Sequence, residues 1–104
     1  MTENARLESL LRMVQARPDD ARARFGLAVE YEKLGRWEDV VANLRTYLAK
    51  TDDEGNAYGR LARAFHELGN EEQARAAYQQ GIEAANRHGH PTLAVELEEE
   101  LEEL

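Results

Sequence analysis

Cysteine is absent from this 104-residue chain, which removes any disulfide framework and any thiolate nucleophile or thiolate metal ligand. Proline occurs only at Pro18 and Pro91, so long stretches carry nothing that would break a helix. Aromatic residues make up 7% of the chain, and no apolar run approaches the ~20 residues of a membrane span. Cations are few as well: 13 Lys and Arg face 21 Asp and Glu, a formal charge of -8. A chain of that sign repels phosphate backbones unless its cations are gathered in one place, which argues against nucleic acid as a partner. The opening Met1-Thr2-Glu3-Asn4 is polar and shows no apolar leader stretch. The expectation is a soluble, cytoplasmic protein with neither a membrane nor a nucleic-acid partner.

The acid excess is uneven. Glu96 to Leu104 hold six Glu and no cation, leaving 15 acids against 13 bases in the remainder, a net of -2. The body is nearly neutral and the end strongly acidic. At this length one small domain with a thin core is expected, removing only about two-thirds of its unfolded surface from water.

What the chain has in abundance is Ala, Leu, Glu and Arg, all good helix formers. Apolar residues recur at helical steps: Leu7, Leu10, Leu11, Val14; Leu27, Ala28, Tyr31, Leu34; Val40, Val41, Leu44, Leu48; Leu61, Ala62, Phe65, Leu68; Ala74, Ala77, Tyr78, Ile82; Leu93, Leu97, Leu101, Leu104. This spacing predicts six helices and no strand. Gly35 and Gly69 stand where a left-handed residue closes a helix, and Asn70 with Gln73 forms a capping pattern. Asp19-Asp20 and Asp52-Asp53 supply acid ahead of the following helices, and Pro91 fits a first helical turn. Connections of two to five residues make consecutive helices antiparallel.

The chain also repeats itself. A shift of 34 aligns Ala23/Ala57, Leu27/Leu61, Ala28/Ala62, Leu34/Leu68, Gly35/Gly69, Glu38/Glu72 and Ala42/Ala76, with Tyr31/Phe65 and Leu44/Tyr78 similar. These are the positions a packed helix pair needs. The same period carried backward maps Leu10 and Val14 onto Leu44 and Leu48, so the first helix reads as the second half of an incomplete leading unit.

A period of 34, small Ala28 and Ala62, aromatic Tyr31 and Phe65 three residues later, then Leu-Gly, resembles the tetratricopeptide repeat over about residues 6 to 88. Pro18 stands at the place of the proline that ends such a unit. Val40, Tyr47, Gly81, Asp52 and Asn86 depart from the family pattern. The resemblance implies an all-α fold: antiparallel helix-turn-helix repeats stacked as a short right-handed α-solenoid with a C-terminal capping helix. Its parts would be a leading helix (3–17), repeat 1 (20–53), repeat 2 (54–88) and an acidic capping helix (91–104).

The resemblance further implies a concave groove lined by the first helix of each unit, holding a peptide or helix of a partner. Carried onto this chain, that lining is Arg22, Phe25, Gly26, Val29, Glu32 and Lys33, then Asn56, Gly59, Arg60, Arg63, His66 and Glu67. The residues expected to bind are Arg22, Phe25, Val29, Lys33, Asn56, Arg60, Arg63 and His66. Arg60, Arg63 and His66 fall three apart on one helical strip, and a guanidinium there can grip a carboxylate in bidentate fashion. Against this stands a plain solvated face of Arg–Glu pairs, each worth ~0–1 kcal/mol. A half-apolar, half-cationic lining favours an acidic amphipathic segment as partner.

Other candidates are weaker. His88-Gly89-His90 offers two imidazoles without a third ligand, so it reads as a turn and no metal is expected. Trp37 reads as core packing at the start of a helix. His66-Glu67 point in different directions from one helix, and no nucleophile with a partner is evident, so neither catalysis nor a cofactor is expected. Glu96/Glu100, Glu98/Glu102 and Glu99/Glu103 are like-charge i,i+4 pairs at the negative end of a helix dipole. Such a helix frays unless docked. Ala94, Leu97, Leu101 and Leu104 also trace a two-heptad seam, which makes homo-oligomerisation through this helix the alternative role, with a monomer or weak homodimer expected.

Overall fold

The computed structural model describes residues 4–104, and the expected start of the leading helix at Glu3 lies outside them. Six helices follow in order: α1 (Ala5–Ala16), α2 (Ala21–Lys33), α3 (Trp37–Lys50), α4 (Asn56–Glu67), α5 (Glu71–Arg87) and α6 (Pro91–Glu102). Among the described residues there is no strand. The chain partitions into two compact units, one ending at Thr51 and the other running from Asp52 to Leu104.

In the first unit α2 packs on α3 and on α1. Its centre is Leu27, Ala28, Val40 and Leu44, none more than 1% exposed; Leu27, Ala28 and Leu44 are positions the 34-residue repeat singles out. Asp20 caps α2 by accepting the Ala23 N–H at 3.1 Å, as the acid before the helix requires. Two buried polar groups are satisfied from neighbouring helices. Arg24 donates to the Asn43 side-chain oxygen at 3.1 Å while the Asn43 amide donates to the Asp39 carbonyl at 2.8 Å. Glu30 accepts from Arg6 Nε and Lys33 Nζ, each at 3.2 Å, tying α1 to α2.

In the second unit α5 packs on both α4 and α6 around Ala57, Ala62, Ala64, Ala74, Ala85 and Leu97, all fully buried. Small side chains on α4 and α5 let the helix axes approach closely. The α2–α3 and α4–α5 turns close alike: Arg36 N–H bonds to the Tyr31 carbonyl and Asn70 N–H to the Phe65 carbonyl, with Gly35 and Gly69 at φ 70° and 80°.

Two local expectations are corrected. Asn70 makes no side-chain capping bond; its carbonyl instead opens α5 by accepting the Ala74 N–H. Trp37 is half-buried rather than core, because as the first residue of α3 it sits at the rim of the unit.

Candidate partner-binding site

The expected binding residues fall on two strips, one in each unit. On α2, Arg22 and Lys33 are exposed, and Phe25 and Val29 are half-buried between them. The Phe25 ring leans on Tyr47 with centroids 5.1 Å apart and planes at 51°, which holds an aromatic surface in place at the middle of the strip. Lys33 spends part of its charge on Glu30.

On α4, Asn56, Arg63 and His66 are exposed and Arg60 is half-buried. Arg63 is engaged by α6. Its Nε donates to Glu100 Oε1 at 2.7 Å and its Nη2 to Oε2 at 2.9 Å, a fork-to-fork pair. Tyr78 of α5 donates its hydroxyl to the same Oε1 at 3.0 Å. Three donors facing one carboxylate, Arg63 first, hold Glu100 below the ordinary carboxylate range. The phenol responds in the opposite direction. Burial, and then the adjacent Glu100 carboxylate, push Tyr78 up to about 12.

One helical turn before Glu100, Leu97 supplies the apolar half of the contact. It is completely buried, and its two methyls lie where side chains on Gly59 of α4 and Gly81 of α5 would begin: a Cβ on Gly59 would stand 2.8 Å from Leu97 Cδ2, and one on Gly81 3.0 Å from Cδ1. The glycines therefore form a notch that receives the two methyls of this leucine. Burying such a side chain contributes about 1.5–3 kcal/mol. Leu93 and Leu101 flank it half-buried, and Ala94 is buried. The acidic helix, which like-charge repulsion would fray in isolation, is thus helical as far as Glu102 because it is docked.

Each of the two 34-residue helix pairs, α2–α3 and α4–α5, carries its small residue, aromatic and Leu-Gly turn in the positions the repeat requires. A family model described as tetratricopeptide repeat matches residues 1–85. The chain belongs to the tetratricopeptide-repeat family. No curated protein and no solved structure matches it. Tetratricopeptide-repeat domains are in general non-catalytic modules that bind protein partners. No helix among the described residues is long and apolar enough to cross a membrane.

The turn histidines, for which spacing along the chain implies no role, have partners in the structure. His88 Nε2 lies 3.2 Å from Asp52 Oδ2, Arg87 Nη2 3.1 Å from Asp52 Oδ1, and His90 Nε2 3.2 Å from Glu54 Oε2. Hydrogen bonds from His88 and Arg87 hold the Asp52 carboxyl below its ordinary range. These contacts tie the α5–α6 turn to the segment that enters α4. An open hollow of about 460 Å³ lies at this end, lined by Glu54, Gly89, His90, Pro91, Thr92, Leu93 and Glu96, and contains none of the eight strip residues. Asp53, not Asp52, caps α4, accepting the N–H groups of Gly55 at 2.8 Å and Ala57 at 2.9 Å. His66 likewise has a partner, with Nδ1 2.6 Å from Glu71 Oε1. The signal for all of these was acid at the 52–54 turn and after Gly69, but which carboxylate caps and which pairs depends on chain direction at the turn.

Proposed function

We propose that this tetratricopeptide-repeat protein is a non-catalytic adaptor whose α2 and α4 strips each hold an acidic, amphipathic segment of a partner protein. The residues assigned to partner contact are Arg22, Phe25, Val29 and Lys33 on α2, and Asn56, Arg60, Arg63 and His66 on α4. The observation that carries the reading is the forked grip of Arg63 on Glu100 of α6. It is an instance, within this chain, of an α4 arginine taking the carboxylate of an amphipathic Glu-bearing helix. The α2 strip offers a different set, a cation at each end and a seated aromatic between.

Affinity capture from native lysate tests this. A partner retained by the wild-type chain should be lost when Arg60 and Arg63 are replaced by Glu, with Arg22→Glu/Lys33→Glu as the matching change on α2. Unchanged retention with both pairs reversed sinks the proposal.

A second reading is self-association through α6. It is favoured by Val95, 50% exposed on that helix, but Ala94 and Leu97 of the heptad seam are already buried within their own unit. Self-association by this seam therefore requires α6 to leave its seat. Sedimentation should then report a dimer that becomes monomeric when residues 91–104 are removed. A monomer at every concentration disposes of it.

A further inference from the structure

α6 is held by few groups and is a poor helix on its own. Only Ala94 and Leu97 are buried along it, its N-terminus has no side-chain cap, its last turn has no base, and three like-charge pairs run along it. What keeps it in place is a compact pattern: a leucine in the Gly59–Gly81 notch and, three residues later, a carboxylate shared by Arg63 and Tyr78. The receptor half of that pattern belongs to α4 and α5. Through these four residues it meets an i,i+3 pair on one face of α6.

We propose that the α4–α5 face is a receptor for a foreign amphipathic helix carrying Leu-x-x-Glu, and that α6 is a resident occupant which such a helix displaces. The proposal rests on reading the chain as a protein-binding module and adds the recognised pattern and its built-in competitor. Shape selects the leucine, because the two glycines leave room for a branched aliphatic side chain whose methyls sit 2.8 and 3.0 Å from where a Cβ on Gly59 or Gly81 would stand. Charge selects the glutamate, because the forked guanidinium and the phenol present donors only to an acceptor. A partner helix without the like-charge pairs of α6 would lose less on ordering and so compete well against it. The resident helix has the advantage of being tethered, which gives it an effective concentration in the millimolar range. Displacement is therefore a contest between tether and helix quality.

The test uses the full-length chain and, as probe, a fluorescent synthetic peptide of residues 90–104 added in trans. In the Leu97→Ala chain the resident helix loses its anchor while the receptor is intact, so the peptide should bind at least about tenfold more tightly than to wild type. Glu100→Ala empties the carboxylate half in the same way and carries the test if Leu97→Ala does not fold. Adding Gly59→Ala to either variant should weaken peptide binding at least about tenfold, because the new methyl stands 2.8 Å from the seat of the leucine Cδ2, while Ala improves the helix propensity of α4. Peptides with Leu97→Ala or Glu100→Ala should each bind at least about tenfold more weakly than the parent. Equal binding to wild-type and variant chains, or no binding to either single variant, overturns the proposal. So does a wild-type dimer lost on Gly59→Ala, which would make a second copy the occupant. Partner capture that fails with the α2 charge reversals yet persists with Gly59→Ala would also overturn it, while leaving the adaptor reading standing.

Discussion

Arg63 and Glu100 stand 37 positions apart in sequence and meet through two hydrogen bonds of 2.7 and 2.9 Å, joining α4 to the terminal helix. The pair is partly exposed, Arg63 at 48% and Glu100 at 32%, so solvent screening limits its worth. Its importance is positional. It fixes the rotation of α6 about the Leu97 anchor and directs the remaining glutamates elsewhere.

Replacing Glu100 by Gln keeps the shape and removes the charge. The expected result is a loss of about 1 kcal/mol in the local stability of α6, seen as roughly fivefold faster amide exchange there. Exchange in α2 and α3 should be unchanged.

That difference should depend on pH with a defined sign. Because the folded carboxyl of Glu100 lies below its ordinary 4.5, the contribution is fully present above that value and is lost as pH falls through the lowered folded value. Wild type and Glu100→Gln should therefore converge in α6 protection in acid. At the alkaline end Tyr78 is raised from 10.0 to about 12, so its contribution is present below 10 and is lost as pH rises through about 12. Tyrosinate absorbance of wild type minus Tyr78→Phe should show one late-titrating phenol.

Asp53 is buried and accepts two backbone N–H groups at the start of α4. Asp53→Ala leaves both without their acceptor and should destabilise the chain by about 1–2 kcal/mol in denaturant unfolding. Asp52→Ala, at an exposed pair, should leave the unfolding midpoint nearly unchanged.

Glu30 presents a nearly buried carboxylate to Arg6 and Lys33. Glu30→Ala should loosen α1 by about 1 kcal/mol, read as faster amide exchange across Ala5–Ala16, while leaving the α2–α3 pairing intact. Leu10→Ala, which empties a buried site, should cost about 2–5 kcal/mol in global stability.

Helix number, turn positions and the paired core were legible in the chain because they rest on local periodicity. Leu27, Ala28, Val40 and Leu44 are buried where the 3.6-residue step and the 34-residue shift placed them, and Gly35 and Gly69 close helices at positive φ as their place after Leu34 and Leu68 implied. The acidic end could be seen too, along with the fact that it needed docking. What could not be read from spacing was the partner of each charge. Glu100 rather than Glu96 or Glu99 meets Arg63, Asp53 rather than Asp52 caps α4, and His88 and His90 meet the carboxylates of Asp52 and Glu54. Hydrophobic burial is nearly indifferent to direction and leaves its mark as a period along the chain. A hydrogen bond requires two atoms about 3 Å apart at a set angle, and that depends on how α6 is rotated in the notch of Gly59 and Gly81.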